Sequence, residues 1–558
     1  MTCWEREFDV VVVGFGGAGS AAALEARRAG ADVLVIDRFA GGGSTARSGG
    51  VVYAGGGSTA QKQAGYADDA EQMLDYLRLE VRDAVDEAVL RSFCEKSLAQ
   101  LHWLEELGAP FPPSEVAPSK TSYPEDACTL YFSGNELAAP FRQSAHPAPR
   151  GHRVAGKGRT GSVLFRHLRA ATVASGAEIR TYCRALRLIS GKQGGVEGVE
   201  ILSFDAPRFW RLWHTLLFEL GSQGALFSRP LVPLCQRRIA ALEKRYGRTS
   251  RIRARGGVVL CAGGFAFNAE SMREQTGWYR LGRPLGTLGD DGSGIALGQS
   301  VGGAVGEMSS CSAWRFINPP PAFTRGILVD QSGERICNEE FYGGTLGQRI
   351  AARDGGRGFL ILDADSWSKA RAEVRERSML GFQKVSARIN LHLNRNKAGS
   401  LRELGARCGM PPGALEASVE KYNTDTRERG YDPLGKSAEM LQPLCTPPFY
   451  AIDCSLDSAL FPAPCITLGG LRVEGETGRV LRADGSAIDG LYAAGRNAVG
   501  VSSRSYLSGL SLADCFFSGR NAGRNAARSV RRPPTTKAAR YGSGCENARC
   551  LRTVLVSS

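Results

Sequence analysis

Three glycines and one aspartate near the start of the chain have the types and spacing that bind a dinucleotide. Gly14, Gly16 and Gly19 follow a run of valines and precede an alanine-rich stretch, and Asp37 closes a second apolar run. In a strand–turn–helix–strand unit of this kind, the glycines allow a tight turn and close approach to a pyrophosphate, and the acid accepts a ribose hydroxyl. The segment therefore predicts an adenine dinucleotide site, with an ordinary βαβ unit as the alternative.

A second segment, rich in glycine and hydroxyl side chains, favours a flavin over a nicotinamide. Residues 41–57 contain it, and apolar strands that end in glycines follow at residues 257–265 and 490–495. The ribityl chain and ring system of FAD run deep into a protein, so the backbone must approach them closely, which glycine permits. The cofactor-binding residues that we predict are Gly14, Gly16, Gly17, Ala18, Gly19, Asp37, Arg38, Ser44, Thr45, Ser48, Gly49, Gly50, Gly263, Gly264, Asp291, Gly495, Arg496, Leu510 and Ser511.

Together these segments resemble the FAD-binding fold of the fumarate reductase and succinate dehydrogenase flavoprotein superfamily. The resemblance implies an α/β protein whose Rossmann-like FAD-binding domain is built from both chain ends, with an inserted α+β catalytic domain. Residues 41–57 contain no histidine, the residue to which some relatives attach the flavin, so we expect FAD to bind non-covalently. We place the FAD-binding domain at 1–305 and 446–530, a basic aromatic insert within it at 205–255, the catalytic domain at 306–445, and a basic tail, expected to be disordered, at 531–558.

Five further segments narrow the resemblance. Residues 120–124, 130–136, 147–153, 289–294 and 505–515 look like segments of the FAD-dependent 3-ketosteroid dehydrogenases. The nearest branch desaturates the 4,5 bond in ring A of 3-oxo-5α-steroids, and the likeness covers nearly the whole chain. The most specific piece is the tyrosine, leucine, serine and glycine at the start of the last segment. A 3-ketosteroid 1,2-dehydrogenase is the alternative within the family, although those enzymes resemble the chain less closely there.

The chemistry of this family explains why tyrosine and serine would stand at that position. Removing hydrogen beside a ketone requires donors that stabilise the developing enolate oxygen and a base that takes the α proton. By resemblance, the hydroxyl of Tyr506 and a backbone N–H of Gly509 or Leu510 bind the 3-oxo group. The base, again by resemblance, involves Ser508 and Tyr342. A tyrosine of ordinary pKa, about 10, is a poor base at neutral pH, so either a relay or a polarised tyrosine is required.

Two further expectations concern the surroundings of this site. By the same resemblance, Tyr131 is predicted to line the substrate pocket, and a structural tyrosine at the domain interface is the alternative reading of Tyr342. The apolar run that begins at Leu510 predicts a helix. Its N-terminus would point at the pyrimidine edge of the flavin, where negative charge collects on reduction.

The positive charge of the chain is concentrated outside the predicted catalytic body. The net charge is +14, and residues 207–255 contain eleven basic and two acidic side chains. Helical spacing places Phe209, Leu212, Trp213, Leu216 and Leu220 on one face, which is typical of an interfacial helix on an anionic membrane. A hairpin that covers the core, or a dimer contact, is the alternative for this insert. No nucleic-acid-binding motif accompanies the charge, so we expect no nucleic-acid partner.

The remaining features limit the class of protein. No stretch is long and apolar enough to span a bilayer, the N-terminus lacks the pattern of a signal peptide, and fifteen cysteines without repeated short spacing indicate neither a metal site nor a disulfide framework. We expect a cytoplasmic protein, with peripheral attachment to the inner face of the membrane as a hypothesis. Its expected partners are a steroid substrate, an electron acceptor that the sequence does not identify, and an anionic membrane surface.

Two other functions remain open at this point. A reductase of dicarboxylates from the same superfamily needs cationic side chains that clamp two carboxylates. Arg504 would hold one of them, but the last histidine is His392, so the C-terminal substrate loop contains none. A flavin-binding protein that docks on membranes without catalysis is the other alternative, and the tyrosines and serine of the predicted site argue against it.

Overall fold

The computed structural model describes residues 3–116, 123–277, 282–376 and 379–530. The tail predicted at 531–558 lies outside the described residues, as do residues 120–122 of one motif. The strands are β1 (Arg6–Val13), β2 (Val33–Asp37), β3 (Val51–Tyr53), β4 (Leu130–Tyr131), β5 (Gly151–Arg153), β6 (Glu178–Thr181), β7 (Cys183–Ser190), β8 (Val196–Phe204), β9 (Gly247–Leu260), β10 (Arg283–Pro284), β11 (Val305–Gly306), β12 (Cys311–Ala313), β13 (Ile327–Val329), β14 (Phe359–Leu362), β15 (Arg395–Ala398), β16 (Phe449–Asp453), β17 (Pro464–Thr467), β18 (Gly470–Leu471), β19 (Val473–Glu474), β20 (Arg479–Leu481) and β21 (Ala487–Ala493). The helices are α1 (Gly17–Arg28), α2 (Gly43–Arg47), α3 (Thr59–Gln63), α4 (Ala70–Val81), α5 (Glu87–Glu95), α6 (Ser97–Glu106), α7 (Phe141–Ser144), α8 (Gly161–Ala174), α9 (Arg208–Gly224), α10 (Leu231–Tyr246), α11 (Ala269–Thr276), α12 (Ser293–Gln299), α13 (Gly343–Ala351), α14 (Ala364–Glu376), α15 (Gly381–His392), α16 (Leu401–Arg407), α17 (Ala414–Thr424) and α18 (Leu510–Arg528).

A parallel sheet forms the centre of the FAD-binding domain. Its strands lie in the order β21, β9, β1, β2 and β6, and each neighbouring pair is parallel. The valines of β1 and the apolar residues of β2 are buried, as expected for strands covered on both faces. The carboxyl ends of β1 and β2 meet at one edge, where a parallel α/β sheet binds its ligands.

The C-terminal part of the chain completes this domain, in agreement with the predicted fold class. Strand β21 pairs with β9, with Leu491 opposite Val258 and Ala493 opposite Leu260, and α18 packs along α1. Gly519 and Gly523 bring the two helices close together, because a Cβ at either position would overlap a backbone carbonyl of α1. The N-terminus of α18 therefore lies beside the N-terminal nucleotide-binding unit.

The inserted domain has its own antiparallel sheet, in the order β13, β14, β16 and β15. Phe449–Asp453 forms β16, between β14 and β15. The predicted boundary at residue 445 assigns this strand to the FAD-binding domain, whereas its hydrogen bonds join it to the inserted sheet. The chain therefore returns to the FAD-binding domain after Asp453, because β16 must first complete the four-stranded ladder.

The basic insert is a helical hairpin at the tip of a β-hairpin. Strands β8 and β9 are antiparallel and pair as far as Phe204 and Gly247, and α9 and α10 lie between these two residues. The inner face of α9 packs on the FAD-binding domain, where the ring of Phe218 stacks on Phe39 with centroids 4.2 Å apart. On this side the insert is the core-covering hairpin that the sequence left as an alternative.

The outer face of α9 is apolar and exposed. Phe209, Leu212, Trp213, Leu216 and Leu220 have between 42% and 69% of their surface exposed. The five residues that helical spacing grouped on one face therefore lie on the solvent side of the hairpin. One helix thus has two apolar faces, of which only the inner one has a partner within the described chain.

Within the described residues, no helix combines the length and the hydropathy needed to cross a bilayer. The same residues contain no group of three or more histidine, cysteine or acidic side chains arranged to hold a metal ion. All cysteines of the described ranges are free thiols.

Candidate active site

One large cavity lies between the FAD-binding domain and the inserted domain. Its volume is about 1110 Å³, and residues of the nucleotide-binding unit, of α15 and of the loop before α18 line it. The predicted cofactor residues that line this cavity are Gly14, Gly16, Gly17, Ala18, Asp37, Arg38, Ser44, Thr45, Ser48, Gly49, Gly263, Asp291, Arg496 and Ser511. The predicted residues Gly19, Gly50, Gly264, Gly495 and Leu510 are not among the lining residues.

The glycine turn after β1 opens the nucleotide end of the cavity. Gly14 has a φ of 105°, and a Cβ there would overlap the carbonyl of Cys261. Helix α1 begins directly afterwards without a side-chain cap, and the N–H of Gly17 donates to Oγ1 of Thr45 at 2.9 Å. An uncapped helix N-terminus with a positive dipole end suits an anionic group such as a pyrophosphate.

Asp37 lies at the carboxyl end of β2, where the sequence placed it. Its Oδ2 accepts the N–H of Phe15 at 2.8 Å, and its Oδ1 accepts the N–H of Phe39 at the same distance. Burial raises the pKa of this carboxyl, while the backbone donors oppose the shift. Asp37 therefore orders the turn around the nucleotide end, as well as being available to accept a hydroxyl.

Arg38 is held by an acid that the sequence did not identify. Its guanidinium forms two hydrogen bonds with Glu243, at 2.8 and 3.0 Å, and a third with Asp291 at 2.9 Å. Glu243 belongs to α10 and also lies 3.3 Å from Nε2 of His214. Although burial opposes it, the hydrogen bonds from His214 and Arg38 lower the pKa of Glu243 to about 2. The basic insert thus forms one wall of the nucleotide end.

Asp290, which precedes the predicted residue Asp291, also lines the cavity and connects several segments of the chain. Its carboxylate accepts from the hydroxyl of Ser44, from the guanidinium of Arg496 and from the N–H of Gly264. Both aspartates were visible in the sequence, but nothing in the local pattern shows which of two adjacent side chains points in which direction. Nη1 of Arg496 remains buried without a hydrogen-bond partner among the described residues.

The predicted catalytic residues meet at the other end of the cavity. Tyr342, Tyr506, Ser508 and Gly509 all line it. The hydroxyl of Tyr131 donates to Oγ of Ser508 at 2.7 Å, and the side chain of Ser508 also lies near enough to Tyr342 to act on the pKa of its phenol. Ser508 therefore lies beside two tyrosines that come from separate parts of the sequence.

All three tyrosines are neutral at physiological pH in this arrangement. Burial raises the pKa of Tyr342 and of Tyr131 well above 10, and the neighbouring tyrosines add to the shift. Burial also raises the pKa of Tyr506 to about 12. At neutral pH each phenol is therefore protonated except in a small fraction of the protein.

Tyr131 does not line the cavity, in contrast to the sequence prediction. Its side chain is fully buried and reaches the cavity only through Ser508. Strand β4 places the ring behind the serine, because Ser508 is anchored to the same segment by the hydrogen bond from its N–H to the carbonyl of Ser133 at 3.1 Å. Its position is that of a partner to the serine rather than a wall of the pocket.

The start of α18 distinguishes between the two predicted backbone donors. Gly509 is the N-cap residue with a φ of 93°, and a Cβ there would lie 2.7 Å from the nitrogen of Tyr53. The N–H of Leu510 donates to the carbonyl of Leu507 at 3.2 Å, and its side chain is buried away from the cavity. Of the two residues predicted to supply the backbone donor, Gly509 lines the cavity and Leu510 does not, so we retain the N–H of Gly509 for the proposed site.

Tyr506 sits beside an aromatic residue of the inserted domain. Its ring lies 4.9 Å from that of Trp314 and 6.5 Å from that of Tyr342, measured between centroids. These contacts hold the phenol at the domain interface, where a neutral donor with a raised pKa faces the cavity.

Asn135, in the segment 130–136, is a buried positioning residue that its local sequence pattern does not reveal. Its Oδ1 accepts the N–H of Tyr342 at 2.7 Å, and its Nδ2 donates to Glu80 and to Thr345. Its own N–H donates to the hydroxyl of Tyr76 at 2.8 Å. Asn135 therefore fixes the start of α13, and with it Tyr342, against the FAD-binding domain.

The site does not have the charge pattern of a dicarboxylate clamp. Arg504, which would hold a carboxylate, pairs instead with Asp83 and with Glu307 and does not line the cavity. None of the lining residues is a histidine. At the catalytic end, neutral phenols and a serine suit a ketone better than a dianion.

The sequence matches the family described as FAD binding domain over residues 9–512. The chain is 39% identical over 505 residues to the 3-oxo-5-alpha-steroid 4-dehydrogenase of Comamonas testosteroni, and the alignment covers 88% of this chain and 93% of the relative. It is 27% identical over 570 residues to a 3-oxosteroid 1-dehydrogenase of Mycobacterium tuberculosis, covering 90% and 94% of the two chains.

A solved structure resembles the chain over most of its length. It is the 3-ketosteroid-delta4-(5alpha)-dehydrogenase of Rhodococcus jostii RHA1 in complex with 4-androstene-3,17-dione. The TM-score is 0.79 at 32% sequence identity, and the match covers 94% of this chain and 98% of the other.

Proposed function

The chain belongs to the FAD binding domain family, among the 3-ketosteroid dehydrogenases, and from this premise we propose that it desaturates ring A of 3-oxo-5α-steroids at the 4,5 bond. The observation that carries the proposal is the group of Tyr342, Ser508 and Tyr506 at one end of the cavity. Neutral donors beside a hydrogen-bonded serine are the groups that enolisation of a ketone requires. A dicarboxylate substrate finds no comparable partners there.

The residues of the cavity fit FAD. Helices α1 and α18 both begin at its wall without side-chain caps, and the guanidinium of Arg496 has a buried nitrogen without a partner in the described chain. Positive helix ends and an arginine suit a cofactor with a pyrophosphate and a ring that becomes negative on reduction. The glycine turn, Asp37 and Asp290 would hold it. When bound, FAD supplies the acceptor for a hydride at its N5 atom.

In the proposed mechanism, Tyr506 and the N–H of Gly509 bind the 3-oxo group of the steroid. Both donate to the oxygen on which negative charge develops as the proton on carbon 4 leaves. Because burial keeps the pKa of Tyr506 at about 12, its phenol remains a donor throughout the reaction.

The proton on carbon 4 passes to the oxygen of Tyr342 in its phenolate form, which is a small fraction of this tyrosine at neutral pH because burial raises its pKa. The hydrogen bond from Tyr131 holds Ser508 beside Tyr342, where the serine either polarises this tyrosine or relays its proton to solvent after the product leaves. The hydrogen on carbon 5 leaves with its electron pair, and the 4,5 double bond forms between the two carbons. Asn135 orients Tyr342 through the backbone N–H of this tyrosine.

The proposal includes partners besides the steroid. An electron acceptor must reoxidise the cofactor after each turnover. We assign the exposed face of α9 to an anionic membrane surface, with the protein attached at the inner face of the membrane. The apolar residues of that face and the basic side chains of the hairpin support this assignment.

Product analysis tests the proposed reaction. Purified protein with FAD and an artificial electron acceptor is expected to convert 5α-androstane-3,17-dione to 4-androstene-3,17-dione. The product, supplied on its own as substrate, should remain unchanged. Formation of a 1,2 double bond from it would identify a 1,2-dehydrogenase, and the absence of any conversion would overturn the proposed function.

The cofactor is expected to dissociate completely when the protein is denatured by acid. Residues 41–57 contain no histidine, and no histidine lines the cavity, so we see no attachment point of the kind that some relatives use. After precipitation and centrifugation, the absorbance of the supernatant should account for all of the flavin. Yellow colour that stays in the washed pellet would contradict this prediction.

A further inference from the structure

We infer that the mouth of the steroid cavity opens on a membrane-binding surface, so that the substrate enters from an anionic bilayer. This surface consists of the exposed face of α9 together with an apolar rim around the cavity, formed by Phe227, Phe382, Val385 and Leu460. The inference rests on the proposed function, because it concerns the route of an apolar steroid to this site.

The exposed face of α9 leads directly to the cavity. Phe209, Trp213, Leu216 and Leu220 follow one another at intervals of three or four residues along the helix. The next residue of this face is Gln223, which lines the cavity, and Phe227, in the turn after α9 ends at Gly224, lines it as well. Since residues at this spacing share one face of a helix, the apolar stripe ends at the cavity wall.

The rim consists of side chains that line the cavity and also reach solvent. Phe227, Phe382, Val385 and Leu460 are all cavity-lining residues, and their exposure ranges from 48% to 80%. A residue that is both lining and exposed lies where the cavity meets the surface. Four exposed apolar residues around an opening form a patch of the kind that marks an interaction site.

Hydrogen bonds join the parts of this rim. At the end of α9, the hydroxyl of Ser222 accepts the N–H of Leu288 at 3.0 Å. The segment before Leu288 pairs with the segment after Leu460, since the N–H of Leu285 donates to the carbonyl of Cys465 at 2.8 Å. Ser458 in turn donates to Asn394 at 3.3 Å, just after α15. The hairpin, the loop containing Leu460 and α15 therefore form one continuous border.

The charge of the hairpin fits an anionic surface. Arg208, Arg237 and Arg238 are exposed on it. The two acids of α9 and α10 pair with arginines of the FAD-binding domain, Glu219 with Arg47 at 2.6 Å and Glu243 with Arg38. The third acid of the hairpin, Asp205, precedes α9 and lies 4.0 Å from Arg211. The hairpin therefore presents basic side chains beside the apolar stripe, which is the composition of an interfacial helix.

A second copy of the chain fits this face less well than a bilayer. In a two-fold dimer the same patch meets itself, so the exposed arginines of two hairpins would face each other. Like charges across an interface oppose association, whereas anionic lipid attracts them. A bilayer is also the phase into which a poorly soluble steroid partitions.

The experiment compares two ways of delivering 5α-androstane-3,17-dione to the FAD-loaded protein. In one arm the steroid is complexed with cyclodextrin in solution, and in the other it is dissolved in vesicles of phosphatidylcholine with or without phosphatidylglycerol. Co-sedimentation and initial rates are measured for the parent, for L212Q/L216Q, for R237E/R238E and for the control V173Q. Val173 is an exposed apolar residue of α8 and not of the hairpin.

The parent and V173Q are expected to sediment with the anionic vesicles. They should also turn over steroid delivered in anionic vesicles faster than steroid delivered in neutral vesicles. High salt should abolish the gain. Loss of two exposed leucines should lower vesicle affinity by about 10-fold or more, with a parallel loss of the vesicle-dependent rate. Cyclodextrin-delivered turnover and FAD content should stay at the parent level in both variants, which shows that they are folded. Trp210 is left unchanged because it packs against Tyr246, with centroids 6.0 Å apart.

The possible failures are distinguishable. No turnover in either arm would overturn the proposed function, while co-sedimentation would still report on docking. Normal turnover from cyclodextrin without binding to anionic vesicles, or parent-like binding by both variants, would overturn the membrane route. A dimer of the parent that L212Q/L216Q converts to a monomer, without vesicle binding, would identify a second copy as the occupant and would also overturn it.

Discussion

Replacing Tyr342 with phenylalanine is expected to slow reduction of the bound flavin by 3-oxo-5α-steroids about 10²- to 10⁴-fold, the usual contribution of a general base. The substitution removes only the hydroxyl that lies near Ser508 and retains the ring contact with Phe316. Stopped-flow measurement of flavin bleaching without oxygen gives the rate. Retained flavin absorbance would show that the fold and the cofactor site are intact.

The pH dependence gives a second readout of the same prediction. Because burial raises the pKa of Tyr342 well above 10, the phenol is neutral at pH 7 and its phenolate fraction grows as the pH rises. Reduction of the parent should therefore accelerate between about pH 7 and pH 9, and the profile of Tyr342→Phe should be flat. Tyr422→Phe is the matched control, since Tyr422 is a buried tyrosine of the inserted domain that does not line the cavity.

The companion variant Ser508→Ala distinguishes a relay from a polarised tyrosine. If protons leave through Ser508, the variant should be as slow as Tyr342→Phe. If Tyr342 acts on the substrate directly, the loss should be smaller and the pH profile should keep its slope. Parent-like rates in Tyr342→Phe would exclude this tyrosine from proton transfer and favour a structural role at the domain interface.

Replacing Tyr506 with phenylalanine is expected to lower kcat/KM for 5α-androstane-3,17-dione about 10²- to 10³-fold, because one donor to the developing enolate is lost. The ring of Tyr506 packs beside Trp314, and phenylalanine preserves that contact. FAD content should therefore be unchanged. Steady-state kinetics with an artificial acceptor measures the effect, which should fall mainly on kcat if the donor acts in the transition state.

Inhibition by the product provides the control for this variant. If this donor binds the ketone equally in substrate and product, its loss would weaken the binding of 4-androstene-3,17-dione as much as it slows turnover. A larger loss in turnover than in product binding is expected from a group that stabilises the enolate. Turnover within a few-fold of the parent would show that the 3-oxo group is bound elsewhere in the cavity.

The basic insert has two apolar faces, and their surroundings differ. On the inner side, Phe218 and Glu243 pack against the nucleotide end, so the hairpin forms part of the cofactor cavity. On the outer side, Leu212 and Leu216 face solvent. A hairpin that only covered the core would be expected to carry polar residues on its outer face.

The sequence by itself determined the cofactor class and the family of folds. The glycines around Gly14 and the acid at Asp37 belong to one continuous strand–turn–helix–strand unit, so their spacing alone specifies their positions. The helical face from Phe209 to Leu220 was likewise predictable, because a period of 3.6 residues is a local property. The helix at Leu510 followed from the same kind of pattern and extends to Arg528.

The partners of the site residues depended on contacts between distant parts of the chain. Ser508 bonds to Tyr131, Arg38 to Glu243, and Asn135 to Tyr342, over separations of 377, 205 and 207 residues. Local periodicity contains no information about which side chain lies opposite another after folding. For the same reason the sequence placed Tyr131 on the cavity wall and the domain boundary before β16, which completes the inserted sheet.

The tertiary structure alone decided which groups are buried, and burial sets their chemistry. The order of residues predicts tyrosines near a ketone, but only their desolvation in the folded chain raises the pKa of Tyr342 above its ordinary value and keeps Tyr506 a donor. Likewise, helical spacing grouped the apolar residues of α9, but only packing against Phe39 showed which face is covered and which remains exposed. Spacing is a property of the chain, whereas solvent exposure is a property of the fold.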